Sequence, residues 1–587
     1  LHSGVRIFRV ALVCALVVAI GVVLVSGGTD SDPQTPPALP SLPPPFLGTA
    51  LSGDGGLTAA VDAYGDVVDL RSPGPAGAAL IDNPSDRQAA GTVPADTGIV
   101  PRISGKPMWK ADAVTQSYLS GTNVVRTVAR FGAMRVVMTT AAEGESLALA
   151  VRAEARGAVR TRPESLSIAT NVASALRCAR ERRAGQLDLT CKLGRAVPPV
   201  PAAASNGAAS RLYRHKRPGI GPVGLRCAGL IESASHGARR WLDRSRPLGD
   251  SAPAWAREMY RRSLLSVHAL TSRTTGAAAA GARDGWAYVW PRDAATAALA
   301  LEASGHGAEA RRVARFLTGL DLAAAARFGE SGAPIPGRAA QGDAAGWVAV
   351  AARATGVPPP QEPFPWRDRA DYQESTPGTY LGNALAAAAT HVDGPKTQAW
   401  LEFSAHQHRA AARISREFRT ARGLVREAGD PASGLDSAAA WAVRPFGLTP
   451  LYPAAERTLL RLVHDGTPYG ITPGEGWSGG EDPWSAPTAW SAWSLAGLAA
   501  QARKAVVRDP RTNLPAVRER GGPSRRPPRQ AALRIAAIDL LADLRRAATP
   551  AGNLPERVGA HTGIPTSTTP LLWSSAFAVL ALRELWP

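Results

Sequence analysis

Two hydrophobic rhythms divide this chain. Between residues 46 and 235, apolar and polar positions tend to alternate with period two, the spacing of a strand with one buried face. Leu57-Thr-Ala-Ala-Val-Asp-Ala-Tyr-Gly-Asp-Val-Val-Asp-Leu70 reads as strand, turn, strand. Thr122-Asn-Val-Val-Arg-Thr-Val-Ala-Arg-Phe131, Met134-Arg-Val-Val-Met-Thr-Thr140 and Leu147-Ala-Leu-Ala-Val-Arg152 continue the pattern. Short strands at this spacing predict a β-sandwich over residues 46–235, and 236–255 reads as a linker. From residue 256 to 587 the rhythm becomes helical, with apolar residues at i, i+3 and i+4, as in Leu459, Leu460, Leu462 and Val463.

Candidate helices fall near 256–272, 292–304, 307–319, 343–355, 377–391, 396–419, 435–444, 452–464, 484–504, 531–547 and 571–585. That number is close to six helical hairpins, which suits a closed α/α toroid. A bundle or solenoid fits the same count, and no fixed-period repeat supports a solenoid. Residues 510–529 are Pro- and Arg-rich and read as a solvated loop without a function of its own.

The first 45 residues follow neither rhythm. Arg6 and Arg9 precede the apolar run of residues 10–26, which approaches the ~20 residues that span a bilayer. Residues 1–30 therefore read as a transmembrane anchor, oriented by the positive charge before it, with a cleaved signal peptide as the alternative. Residues 31–45 are a Pro-rich spacer. Everything after them is expected outside the cytoplasmic membrane, as a single-pass protein or, if the segment is cleaved, a secreted one.

Charge changes little in this picture. Lys+Arg is 67 and Asp+Glu 48, a formal net charge of +19, and the excess is Arg in a chain saturated with Ala, Gly and Pro. No zinc-finger spacing, aromatic RNA-binding motif or basic recognition helix accompanies it, so no nucleic-acid partner is expected. The four cysteines exclude a disulfide-built scaffold. Cys14 lies in the apolar run, Cys178 and Cys191 are the candidate hairpin bridge of an oxidising compartment, and Cys227 is left over. No His or Cys stands at metal-ligand spacing, so neither metal nor other cofactor is expected.

Four aromatic and acidic clusters lie in the loops of the helical half. They are Trp286-Ala-Tyr-Val-Trp-Pro-Arg-Asp293, the segment 371–383 beginning Asp371-Tyr-Gln-Glu374, the segment 473–484, and residues 553–575. Trp and Tyr faces stack on the C–H face of a pyranose, and carboxylates and guanidinium groups bond paired hydroxyls. Cleaving a glycosidic bond needs two carboxyl groups on opposite sides of it. The expected partner is a carbohydrate.

Tyr288-Val-Trp-Pro-Arg-Asp293 with its following Ala-rich helix resembles glycoside hydrolase family 15, the glucoamylase-type enzymes. Leu554-Pro-Glu556 with Gly563 to Ala576, and Gly479-Gly-Glu-Asp-Pro-Trp484, are similar to further segments of that family; Asp371-Tyr-Gln-Glu374 is a looser match. The resemblance covers about residues 250–587. It implies an N-terminal β-sandwich, a linker helix and an all-α (α/α)6 barrel. It also implies an inverting, exo-acting α-glycosidase that releases glucose from non-reducing ends. Glu374 is then the general acid and Glu556 the general base. Arg292 and Asp293 grip the terminal sugar, and Tyr288, Trp290, Gln341, Asp343, Trp477 and Trp484 complete the binding site. A trehalase-type specificity and a non-catalytic glycan-binding protein on the same fold are the alternatives.

Gln373 and Ser575 depart from the family pattern, which has Trp and His or Tyr at those places. No Arg precedes Gly479, where the family often has one. Glu475 and Glu481 are the alternative acids.

Overall fold

A computed structural model describes residues 47–82, 98–155, 165–170, 176–183, 186–193, 211–213, 222–360, 365–373, 376–390, 396–507 and 528–587. The apolar run, the Pro-rich spacer, residues 510–527 of the basic loop and Glu374 lie outside these residues. Among the described residues no helix is long and apolar enough to cross a membrane.

The alternating half forms two antiparallel sheets. In chain order the strands are β1 (Gly48–Gly53), β2 (Thr58–Asp62), β3 (Val67–Ser72), β4 (Ala78–Asp82), β5 (Ile99–Ile103), β6 (Lys106–Pro107), β7 (Ala113–Tyr118), β8 (Val125–Phe131), β9 (Met134–Glu143), β10 (Ser146–Ala155), β11 (Leu166–Thr170), β12 (Leu176–Arg183), β13 (Gln186–Leu193) and β14 (Arg211–Tyr213). One sheet runs β1-β2-β3-β5-β11-β14, with β4 beside β3 and β6 beside β5; the other runs β12-β13-β10-β9-β8-β7. The period-two positions Leu70, Ile81, Ile99, Met138, Leu149, Val151, Ile168 and Leu189 meet in one buried core. Cys178 faces Cys191 across the β12–β13 pair, and the two form a disulfide.

A helix the periodicity did not predict, α1 (Pro222–Asp243), follows the strands. It covers the end of the stretch read as sandwich and part of the linker. It packs on β9, β10, β12 and β13, and its Cys227 is a buried free thiol close to the Cys191 carbonyl.

The helical half contains α2 (Ala254–Ala269), α3 (Pro291–Ala303), α4 (Gly307–Thr318), α5 (Ala344–Thr355), α6 (Leu381–Ala387), α7 (Lys396–Phe418), α8 (Tyr452–His464), α9 (Ser485–Val507), α10 (Arg529–Ala547) and α11 (Leu572–Leu585). A small hairpin, β15 (Val425–Glu427) with β16 (Asp430–Leu435), precedes a 3-10 helix at Ser437–Ala442. Contacts run from α3 to α5, α6, the 3-10 helix, α9, α11 and back to α3, so six inner elements close a ring. Outside it, α4 packs on α3 and α5, α7 on α6, α8 on the 3-10 helix, α10 on α9, and α2 on α11. This is the (α/α)6 arrangement, with two departures from six full hairpins. The helix expected at 435–444 is 3-10, and the described part of 356–380 has no outer helix between α5 and α6.

Sandwich and barrel share a polar, buried interface. The Arg262 guanidinium of α2 donates to the Thr122 carbonyl at 2.9 Å and to Asn123 Oδ1, and lies 3.8 Å from the centre of the Tyr118 ring. Asn123 Nδ2 donates to the Leu265 carbonyl at 3.1 Å. No carboxylate pairs with Arg262 in these contacts, so neutral acceptors and one aromatic face stand in for its lost hydration. Replacing Arg262 with Ala leaves those acceptors buried and unpaired. The expected loss is about 2–4 kcal/mol of unfolding free energy, from two bonds to a charged group. Denaturant unfolding with a chevron or equilibrium midpoint checks this; a change under about 0.5 kcal/mol would place the interface energy elsewhere.

Candidate active site

At one end of the ring, the loops leading into the inner elements are stitched together. Isolated bridges join Gly281 to Leu571, Gln341 to Ala370, Asp436 to Gly474 and Trp484 to Arg557. These loops enclose a pocket of about 180 Å³ lined by Trp286, Trp290, Arg292, Asp293, Arg338, Tyr372, Gln373, Trp477, Trp484, Glu556, Arg557, Leu571 and Trp573. It lies below the ~300 Å³ where pockets for drug-sized ligands begin, a size suited to one sugar ring.

The pocket floor is set by the start of α3. Trp290 is extended and acts as N-cap, Pro291 takes the first helical position, and Asp293 falls in the first turn without capping it. Asp293 is therefore not a capping residue. Both Arg292 and Asp293 are buried, at 4% exposure each. Arg292 Nη1 donates to Gln341 Oε1 at 2.9 Å and to Asp343 Oδ2 at 2.8 Å, and its Nη2 is 3.5 Å from Asp293 Oδ2. Its guanidinium also stands 4.5 Å from the centre of the Trp573 ring. Burial pushes the Asp293 carboxyl up to about 7; Arg292 opposes the rise, and Asp343 and Glu556 add to it.

Glu556 sits on the opposite loop, 7% exposed. Its Oε1 accepts from Trp286 Nε1 at 3.1 Å and its Oε2 from the Ser567 hydroxyl. Burial raises its pKa, while Ser567, Arg557, Trp286 and Arg338 pull the other way. Three residues earlier, Asn553 Nδ2 donates to the Thr49 carbonyl of β1 at 2.8 Å and to the Tyr118 hydroxyl at 3.1 Å. The sandwich thus holds the loop that carries Glu556.

Across from these, Asp371 is clamped by Arg426 at 3.1–3.2 Å, and its carbonyl accepts from Gln341 Nε2 at 2.6 Å. The buried Tyr372 hydroxyl donates to Asp436 Oδ1 at 2.7 Å and accepts from Gln373 Nε2 at 2.9 Å. Trp477 and Trp484 form a T-shaped pair, 5.1 Å between centroids, on one wall.

Of the expected site residues, Trp290, Arg292, Asp293, Trp477, Trp484 and Glu556 meet at this pocket. Glu374 directly follows the pocket-lining Gln373 and is outside the described residues. Three expectations shift. Tyr288 does not line the pocket, and its ring lies under Arg327 at 4.9 Å. Gln341 and Asp343 stand behind the wall, spent on Arg292 and the Asp371 carbonyl. Of the alternative acids, Glu475 is paired with Arg422, Glu481 is exposed, and neither lines the pocket. Ser575 is buried on α11, bonded to the Leu571 carbonyl at 3.0 Å.

Trp286, Arg338, Arg557, Leu571 and Trp573 were not singled out from the sequence as site residues, although all but Arg338 lie in the aromatic and acidic clusters. The one usable signal was Trp286, two residues before Tyr288 in the same cluster.

The Asp293 shift gives a measurable pH dependence. An Asp held at about 7 in the fold and near ~3.9 unfolded keeps a proton that the unfolded chain releases. Its contribution to stability is present at acidic pH and is lost as pH rises through about 7. Asp293→Asn stays neutral, so its melting temperature relative to the parent should climb between acidic and alkaline pH. Calorimetry across that range checks it; a pH-independent difference contradicts the assignment.

No family model matches the sequence, and no curated protein matches it. Among solved structures, a bacterial glucoamylase complexed with acarbose aligns over 93% of this chain and 95% of its own, at 12% identity and a TM-score of 0.62. The glucoamylase of Saccharomycopsis fibuligera aligns over 58% and 96%, at 15% identity and a TM-score of 0.46. The family 15 glucoamylase of Hypocrea jecorina aligns over 55% and 70%, at 15% identity and a TM-score of 0.41. The first of these carries the comparison, because it spans both sheets and barrel; at such identity it establishes shared fold. The chain resembles the glucoamylase-type glycosidases of family 15 in fold, a sheet-rich part followed by an (α/α)6 barrel.

Proposed function

We propose that this chain is a glycoside hydrolase of the glucoamylase type, removing single glucose units from non-reducing ends of α-glucans or oligosaccharides with inversion. The observation that carries the reading is the placement of Glu556 beside Asp293 and a wall of Trp rings in a one-ring pocket of a glucoamylase-fold barrel.

Glu556 is the general base in this reading. Its ionised form is needed, and the Trp286 and Ser567 bonds favour that form against the burial that opposes it. It takes a proton from a water that attacks the anomeric carbon. Glu374 is the acid and gives its proton to the glycosidic oxygen as the bond to the leaving sugar breaks. An inverting pair stands about 6.5–9.5 Å apart, which leaves room for the water. Arg292 and Asp293 bond hydroxyls of the terminal sugar, and Trp290, Trp477 and Trp484 face its C–H surfaces. A closed floor admits a chain end and no interior segment, which accounts for exo-attack.

The reaction is placed outside the cytoplasmic membrane, with the apolar run of residues 10–26 as anchor or signal. The Cys178–Cys191 disulfide supports an oxidising compartment.

Incubation with maltooligosaccharides, isomaltooligosaccharides, dextran and trehalose tests the substrate, with proton NMR of the first sugar released. The expected product is β-glucose. Glu556→Gln and Glu374→Gln should each lower kcat at least ~100-fold, the scale of a general acid or base, while acarbose still binds. No sugar released from any of these overturns the reading; release from trehalose alone assigns the trehalase-type specificity.

A further inference from the structure

The pocket carries more positive charge than a neutral sugar needs. Three guanidinium groups line it, from Arg292, Arg338 and Arg557. They differ in what they already hold. Arg292, at the floor, is engaged by Asp343, Gln341 and Asp293. Arg557 is half-buried and farther out. It has no side-chain hydrogen bond or ion pair among the described residues, and its Nε is shut off from solvent without a partner. Glu556, its neighbour, is already taken up by Trp286 and Ser567.

Arg338 is exposed and reaches over Trp290, 5.7 Å from the ring centre. Burial and the neighbouring guanidinium of Arg327, a third outer cation, oppose the charge on Arg338, and the Glu556 carboxylate favours it. The contacts of Arg327 are the Gly285 and Pro336 carbonyls, at 3.4 and 3.5 Å, and the Tyr288 ring. Acids on the adjacent loop face elsewhere. Asp482 accepts from the Ala560 amide at 3.1 Å and from Thr566 at 3.4 Å, and Glu481 points to His561 at 3.9 Å.

A guanidinium that loses water without gaining an anion is destabilising. Its planar fork matches a carboxylate or phosphate with two parallel bonds, which no neutral hydroxyl pair equals. We propose that this pocket selects a substrate whose leaving-group sugar bears an anionic group, a carboxylate or a phosphate, recognised by Arg557 and Arg338. The place on the substrate follows from depth. The floor takes the non-reducing ring, so groups toward the mouth meet the unit beyond the scissile bond. A different role for these cations, holding Glu556 ionised, would alter pH dependence and leave neutral and anionic ligands undistinguished.

The class of substrate rests on the glycosidase reading; the anion site does not, and the experiment separates the two. Three ligands share an α-glucosyl unit and differ beyond it: maltitol is neutral, maltobionate carries a carboxylate, and maltose 1-phosphate carries a phosphate. Their binding to the full chain bearing Glu374→Gln, which copies a protonated acid, is measured by titration calorimetry at low and high salt.

At least one anionic ligand is expected to bind about tenfold tighter than maltitol, by one charge-assisted contact, with the advantage shrinking in salt. Arg557→Gln or Arg338→Gln should cut the anion-to-neutral ratio about fivefold or more, a ratio that cancels any general loss of fold or base strength. Preference for maltobionate alone, or for maltose 1-phosphate alone, identifies the source of the charge. Equal affinity for all three, or a preference that survives both substitutions, overturns the proposal. If the unmodified enzyme releases sugar from none of the three, nor from the glucans and trehalose above, yet the preference holds, the anion site stands and the glycosidase reading falls. Hydrolysis of maltitol as readily as the anionic pair does the reverse.

Discussion

Arg292 is a full positive charge at the floor of a pocket, almost completely withdrawn from water, and the ring of inner elements is organised around satisfying it. A guanidinium in that position costs several kcal/mol unless it is paired and hydrogen-bonded. Its partners come from different inner elements: Asp293 from the first turn of α3 itself, Gln341 and Asp343 from the turn into α5. Gln341 passes the connection to the Asp371 carbonyl, Arg426 clamps the Asp371 carboxylate, and Tyr372 bonds Asp436 at the start of the 3-10 helix. One chain of polar contacts thus joins four of the six inner elements at the end where the pocket opens. The network places Asp293 and Gln373 at the pocket wall without either having to be held by the ligand.

The packing beneath this network uses the small residues that dominate the composition. At Gly346 an added Cβ would fall 2.0 Å from the Ala386 carbonyl oxygen, so α5 and α6 touch backbone to backbone. At Gly382 it would lie 2.9 Å from the Trp441 ring. Close approach leaves a narrow centre, and Trp347, Trp441 and Trp490 fill it with edge-to-face contacts near 5.2–5.3 Å. Ala and Gly, which the sequence offers as a composition bias, are here what lets large rings occupy the middle of the barrel. The same residue type, Trp, then serves two ends. The fully buried rings are core, and Trp286, Trp290, Trp477, Trp484 and Trp573 border the pocket.

The candidate site was legible where chemistry and chain order coincide. Trp290, Arg292 and Asp293 lie within four residues at a helix start, so one motif delivers floor and wall together. Glu556 was legible only through the family resemblance of Leu554-Pro-Glu556 and the segment from Gly563 to Ala576. Gln341 and Asp343 were recognised as relevant, but their work is on Arg292, because a buried guanidinium takes the nearest acceptors before any ligand can. Arg557 and Arg338 carried no motif. Their interest comes from which groups around them are already engaged, and that is a property of loops distant in sequence.

Periodicity by itself determined the division into strands and helices, because burial of one face imposes period two on a strand and 3.6 on a helix. It also set the bounds of the barrel helices to within a few residues, while many of the strands carried no clear signal. Only the tertiary structure decided that six inner elements close into a ring and that one of them is 3-10. It alone showed that α1 lies against the sandwich and that a β-strand carbonyl at Thr49 steadies the loop of Glu556. The physical reason is sequence distance. Local rhythm records what each segment must bury, whereas a shared pocket depends on which charges remote loops bring together.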